Sequence, residues 1–349
     1  MRAAALVIVA ALAPLAFSPA GDALNTMTLA AAYVVMALGL NVVVGFAGLL
    51  DLGYVAFYAI GAYAAAYVAS GYWSGGIHLD FLHVLLVAAA ATTVAGVLIG
   101  LPTLRLRSDY IAVVTLAFGE IIGQVAANGH EIALFGGTLT AGPNNIGPID
   151  PIDLPLLPPF GDLDLRPWYW FALALVTAAI GAAARLRDSR VGRAWIALRE
   201  DEDAAAGAGI PIARTKLLAY ATGAAFGGVA GAFLASYLSV VNAGQFGFSF
   251  SIFVFSMVVV GGLGSIRGVV VGAIVVSVIT TTVLPHTLGS LPRRLGLDLD
   301  LAEITPGAYG LLIVLVMLLR PEGLVPAPRR LRAAAAAGRT PGPSPRPTA

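Results

Sequence analysis

The sequence predicts an all-α fold: a polytopic transmembrane helical bundle of about eight to ten spans. Three observations predict it. The 349-residue chain is 58% hydrophobic and only 11% charged, whereas soluble domains carry about a quarter charged residues. Apolar runs of roughly 20 residues, enough to cross about 30 Å of hydrocarbon, follow one another along the chain. Cations and carboxylates then segregate into alternate connections, as a chain crossing back and forth requires.

The expected spans are Ala3–Ala20, Thr26–Val44, Phe46–Val68, Phe81–Leu101, Ile111–Ala127, Trp168–Ala184, Leu217–Val241, Phe248–Gly264, Val269–Leu284 and Ile304–Leu319. Two of them are short enough to be re-entrant. The first run follows Arg2 and ends in Ser18-Pro19-Ala20, a pattern shared by a retained span and a signal-like leader. Residues 1–24 are therefore set apart as an N-terminal membrane segment, and residues 25–325 form the main transmembrane domain. The Pro-, Ala-, Gly- and Arg-rich stretch 326–349 has the composition of a disordered tail.

Charge tests this division. With Arg2 inside, the inside connections hold Arg105 and Arg107, then Arg185, Arg187, Arg190, Arg193, Arg199, Arg214 and Lys216, then Arg267, and finally Arg320, Arg329, Arg330 and Arg332. The outside connections hold Asp22, Asp80, Glu131, Asp150, Asp153, Asp162, Asp164, Asp298, Asp300 and Glu303, with Arg166, Arg293 and Arg294 as their only cations. This places both termini in the cytoplasm of a cell whose membrane the chain spans several times. A net charge of +1 and a lack of cysteine give no footing for nucleic-acid binding, disulfides or Cys-ligated metals. The four histidines have no metal-enzyme spacing.

The long inside loop, Arg185–Lys216, is the only long charged stretch in mid-chain. Val191, Ala194, Trp195 and Leu198 fall on one helical stripe, with Arg190 and Arg193 off it. The acidic run Glu200-Asp201-Glu202-Asp203 suits the start of a short helix over Ala204-Ala205-Ala206, halted by Gly207, Gly209 and Pro211. Such an elbow serves either as a solvated, topology-setting loop or as a lever for a soluble partner.

Within the spans, Gly223, Gly227 and Gly231 recur every four residues, a spacing that lets membrane helices approach closely. That stripe fits either generic packing or a gated interface. Asn41, Gly45, Gly48, Asp51 and Gly53 interrupt an apolar run, as at broken helices beside transport paths. A tight turn joining two spans is the competing reading for Gly45 and Gly48. Glu120 lies deep in an apolar run, where a carboxylate is costly and functional by default. It fits a pore-facing group, a pair with a partner's cation, or a polar anchor inside the bundle. Asn41, Gly45, Gly48 and Glu120 are thus the translocation-path candidates.

Asp203-Ala204-Ala205 followed by Gly209 resembles the EAA loop of ABC-importer permeases, with Asp in place of Glu. The wider stretch Ser189–Trp195 with Ala197–Glu202 resembles the M-type permeases of branched-chain amino-acid importers. So do Leu38–Asn41, Gly45–Leu49, Asp51–Gly53, Asp109-Tyr110, Thr115–Glu120, Thr140–Asn144, Gly261–Ser265 and Arg320–Leu324, in order along the chain. The resemblance implies an ABC-importer permease fold in a bacterial cell membrane. It assigns ATPase coupling to the loop residues Arg190, Gly192, Arg193, Ala194, Arg199, Glu200, Asp203, Ala204, Ala205 and Gly209. It further implies a homologous H-type permease, two cytoplasmic ATPases and an extracytoplasmic solute-binding protein as partners. ATP and Mg would sit on the ATPases and no cofactor on this chain, which lacks a Gly-x4-Gly-Lys-Ser/Thr phosphate loop. Relatives acting on urea and short amides are the alternative within that class, and an ion-coupled secondary transporter the alternative outside it.

Overall fold

The computed structural model describes residues 10–72, 78–104, 106, 108–134, 137–152, 160–161, 164–283, 301–320 and 322–326. Arg105, Arg107, the start of the first apolar run and the tail beyond Pro326 lie outside the described residues. Among the described residues, eleven α-helices carry the fold: α1 Asp22–Leu40, α2 Val55–Val68, α3 Phe81–Thr103, α4 Ser108–Asn128, α5 Arg166–Asp188, α6 Arg190–Glu200, α7 Glu202–Gly207, α8 Ile212–Leu238, α9 Phe248–Gly261, α10 Ile266–Val278 and α11 Leu301–Leu319. α1 and α10 each run on into a π-helical turn, Asn41–Phe46 and Ile279–Val283. A two-residue antiparallel ribbon, β1 Ala133–Leu134 with β2 Gly137–Thr138, sits in the long connection before α5.

Among the described residues, five helical stretches are long and apolar enough to cross a bilayer, and shorter apolar helices accompany them. α8 is the axis of the bundle. It packs against α1, α2 and α3, while α1 also packs against α5, α9 and α10, and α11 lies on α9. The contact is close because α8 is nearly smooth. A Cβ at Gly227 would stand 2.9 Å from Phe57 Cβ, and one at Gly231 would stand 2.5 Å from Tyr58 O. Gly223 faces Val43 and the Gly39 carbonyl of α1 in the same way. Small residues replace the missing hydrophobic drive between helices in lipid with close van der Waals contact.

One expected span is broken. Hydropathy predicts a helix over Phe46–Val68, but residues 47–54 are not helical and α2 begins only at Val55. Gly48 takes a positive φ of 73°, a conformation that Gly adopts at little cost. Asp51 Oδ1 accepts from the Gly53 N–H at 2.9 Å, and the Leu52 N–H donates to Thr115 Oγ1 of α4 at 3.1 Å. These bonds satisfy backbone groups that a helix would otherwise pair, which is the condition for irregular chain at membrane depth. Gly45 lies inside the π turn rather than in a tight turn, so the turn reading holds only for the chain around Gly48.

Two ends of the bundle can be told apart. One carries α6 and α7, the Gly262–Ser265 turn and residues 322–326; we term it the elbow end. There the N–H groups of Leu324 and Val325 bond to Val260 O and Gly261 O. At the far end, Ile146 and Val241 form an antiparallel bridge, and His78 Nδ1 pairs with Asp150 Oδ2.

Candidate functional site

The elbow is built from capping and one aromatic anchor. α6 begins at Ser189, whose Oγ accepts from the Gly192 N–H at 3.1 Å. Losing such a cap typically costs about 1 kcal/mol. Gly192 is buried against the Leu186 and Arg187 carbonyls, where no Cβ fits. This contact holds α6 tightly to the end of α5. Trp195 is fully buried, and its Nε1 donates to Thr215 O of α8 at 2.9 Å. Leu198 is buried beside it, while Arg190 and Arg193 are exposed. Arg193 turns back to donate to Asp188 O at 2.9 Å.

α7 is capped by Asp201, whose Oδ1 accepts from the N–H groups of Asp203 and Ala204, both at 2.9 Å. Ala205 packs inward, and Glu200, Asp203, Ala204 and Gly209 lie in the open. Gly209 has φ of 82°, which ends the short helix and turns the chain toward α8. Lys216, the only lysine of the sequence, is buried. Its Nζ donates to Glu202 Oε1 at 2.6 Å, and so pins α7 to α8. The elbow therefore presents one solvent face of mixed charge and has its apolar side fixed to the bundle.

Arg199 does something different. From the end of α6 it reaches across to the π turn and donates to Gly45 O. The stem of its side chain covers Gly48. On the other side of the same turn, Asn41 Oδ1 accepts from the Gly264 N–H at 2.8 Å. Gly264 itself takes a φ of 81° in the connection from α9 to α10. Asn41, Gly45, Gly48 and Arg199 are thus brought together, and the Gly262–Ser265 turn joins them. Arg199 links the exposed elbow to the ends of α1 and α9 in one step.

Glu120 stands apart from this cluster. It lies on the exposed face of α4, so a polar anchor inside the bundle does not describe it. The sequence also singled out the α8 glycines, which lie at the α1–α8 and α2–α8 contacts. Sequence reasoning passed over the Lys216–Glu202 pair and the bond from Gly264 to Asn41. The lone lysine was a usable signal for the first. For the second the signals were the conformationally demanding glycines. Among the described residues no group of His, Asp or Glu is arranged to hold a metal ion.

A bundle of apolar helices with a capped, charged elbow defines a membrane permease component. The chain belongs to the family described as the permease component of the branched-chain amino acid transport system, whose model matches residues 23–319. It is 36% identical to the high-affinity branched-chain amino acid transport system permease protein LivM of Salmonella typhimurium, over 93% of this chain and 74% of that protein. It is 38% identical to the LivM protein of Escherichia coli, over 86% and 69%. It is also 25% identical to the LivH permease of Salmonella typhimurium, over 87% and 94%. No solved structure matched the chain.

Proposed function

We propose that this chain is the M-type transmembrane subunit of an ATP-driven importer for branched-chain amino acids. The observation that carries the coupling part of this reading is the Arg199 bond from the elbow to the π turn at Gly45. The family match and the LivM relatives carry the substrate part. A homologous H-type permease completes the translocation path, and the chain's likeness to LivH as well as LivM supports such a pair. An extracytoplasmic binding protein delivers substrate at the far end.

The elbow end faces the cytoplasm, where two ATPase subunits bind ATP and Mg. Arg190, Arg193, Glu200 and Asp203 form the docking face, and Ala204, Ala205 and Gly209 shape its second helix. Gly192 and Ala194 keep α6 close against α5. Closure of the ATPases moves α6, and Trp195 and Arg199 carry that movement to α8, α1 and the Gly262–Ser265 turn. A rigid element with two positions can bias a distant gate in this way only if the contact between them persists during the motion. Trp195 is packed and hydrogen-bonded, which supplies that rigidity.

The test is uptake of labelled leucine into proteoliposomes holding both permeases, the ATPases and the binding protein. Uptake that requires ATP and every one of these components is expected. Full, gradient-driven uptake with the ATPases omitted would replace this reading with a secondary transporter, and uptake of urea without leucine would replace its substrate.

A further inference from the structure

α4 has two unlike faces. Ile111, Ala112, Thr115, Gly119 and Ala126 are buried against the bundle. The exposed face carries Tyr110, Val113, Ala117, Glu120, Ile121, Gln124 and Asn128. At 3.6 residues per turn these seven fall within an arc of about 100°. They form one stripe, apolar toward the elbow end and carrying the polar groups Glu120, Gln124 and Asn128 farther out, with Ile121 at its edge. Asn128 Nδ2 donates to Gln124 Oε1 at 3.2 Å along it, so the two amides are aligned on the same face.

Glu120 is eight residues from the end of α4 at Asn128, about 12 Å at 1.5 Å per residue. That is close to the midplane of a hydrocarbon core about 30 Å thick. Among the described residues it is the only Asp or Glu in the interior of a helix long enough to span. The exposed faces of the neighbouring spans show what lipid contact looks like in this chain. On α3 they are Leu86, Val94 and Leu98, at 68%, 59% and 60% exposure. On α11 they are Leu311, Val314, Leu318 and Leu319. A carboxylate placed on such a face would meet hydrocarbon at a cost of several kcal/mol.

We propose that the Glu120–Gln124–Asn128 stripe faces the water-filled translocation path, and that the Glu120 carboxylate meets the ammonium group of a zwitterionic amino acid there. The stripe is wet from the far end to the middle of the bilayer. Val113 and Ala117 continue it toward the elbow end, where the substrate's branched side chain finds an apolar wall. The substrate half of this proposal rests on the function proposed above; the path itself does not.

The chain has no cysteine, so single cysteines report without background in this subunit. Gln124→Cys and Asn128→Cys are compared with Val94→Cys and Leu98→Cys on α3, in the complete reconstituted complex. A membrane-impermeant thiol reagent should modify the two α4 positions roughly tenfold or more faster, since reaction needs a hydrated, ionised thiol. ATP or loaded binding protein should change the α4 rates and leave the α3 rates alone. Glu120→Gln should lower leucine flux roughly tenfold, as expected for losing a hydrogen bond to a charged group, with the amount of assembled complex unchanged. Rates at α4 equal to those at α3 would overturn the proposal in favour of a lipid face. Protection of α4 in the complex but not in the isolated subunit would overturn it in favour of a contact with the partner permease. If the labelling pattern holds while the native complex carries no leucine, the path stands and the substrate reading fails.

Discussion

At the scale of single residues, some side chains of the elbow look outward and others look in. Arg193 and Arg199 lie on the same short helix but have different work. The first is exposed and folds back on Asp188 O; the second ends on Gly45 O. Arg199→Ala should therefore leave ATPase binding intact and lower leucine transported per ATP hydrolysed by about tenfold or more, the scale of a lost charge-assisted hydrogen bond. Arg199→Lys should recover part of it, because an ammonium can reach one carbonyl but lacks the planar fork. Arg193→Glu should act at the other contact and weaken ATPase association, read by co-purification. The lone lysine gives a sharper sign. Lys216 is buried and its partner Glu202 is half-exposed. Glu202→Ala strands an ammonium inside the protein, whereas Lys216→Met removes the charge and keeps the stem. Thermal melts of the purified chain should show Glu202→Ala as the more destabilised, since an unpaired buried charge costs more than a lost pair.

The helices themselves show where sequence and structure part. Long apolar runs with polar ends were legible at once, and α3, α5 and α8 lie close to their expected bounds. The elbow was legible too, because an amphipathic stripe, an acidic N-terminal turn and glycine stops all point the same way. The break before α2 was legible only in part: the interruptions from Asn41 to Gly53 marked it, but the span was expected to begin at Phe46 rather than Val55. Apolar residues flank Gly48, Asp51 and Gly53 on both sides, so hydropathy runs straight through a segment that is held open by Thr115 of another helix. The same blindness hid the meeting of Asn41 with Gly264, since nothing local records a partner 223 residues away. Glycine spacing in α8 was visible, and its neighbours were not. Because Gly227 presses on Phe57 and Tyr54 while Gly71 has open space around it, Gly227→Leu should abolish or severely reduce folded protein in the membrane. Gly71→Leu should express near the native level. Equal yields by fluorescence-detected size exclusion would remove the packed stripe from the account.

Across the whole molecule, the connections fall into a hierarchy. α8 holds α1, α2 and α3 through glycine contacts, the Asn41–Gly264 bond joins α1 to the α9–α10 turn, and α6 grips both layers through Trp195 and Arg199. A push on the elbow is thereby delivered to the axis helix and to two turns at once. The exposed polar face of α4 lies outside that grip, on the side we assign to the path. Coupling requires the Ser189–Gly209 elbow to lie in the cytoplasm against an ATPase. The most direct measurement places a single cysteine at Asp203, attaches a short photo-crosslinker and illuminates membranes during turnover. A covalent adduct with the ATPase subunit is predicted. Steady leucine uptake with no such adduct, or reaction of that cysteine only with a reagent confined outside the cell, would contradict it.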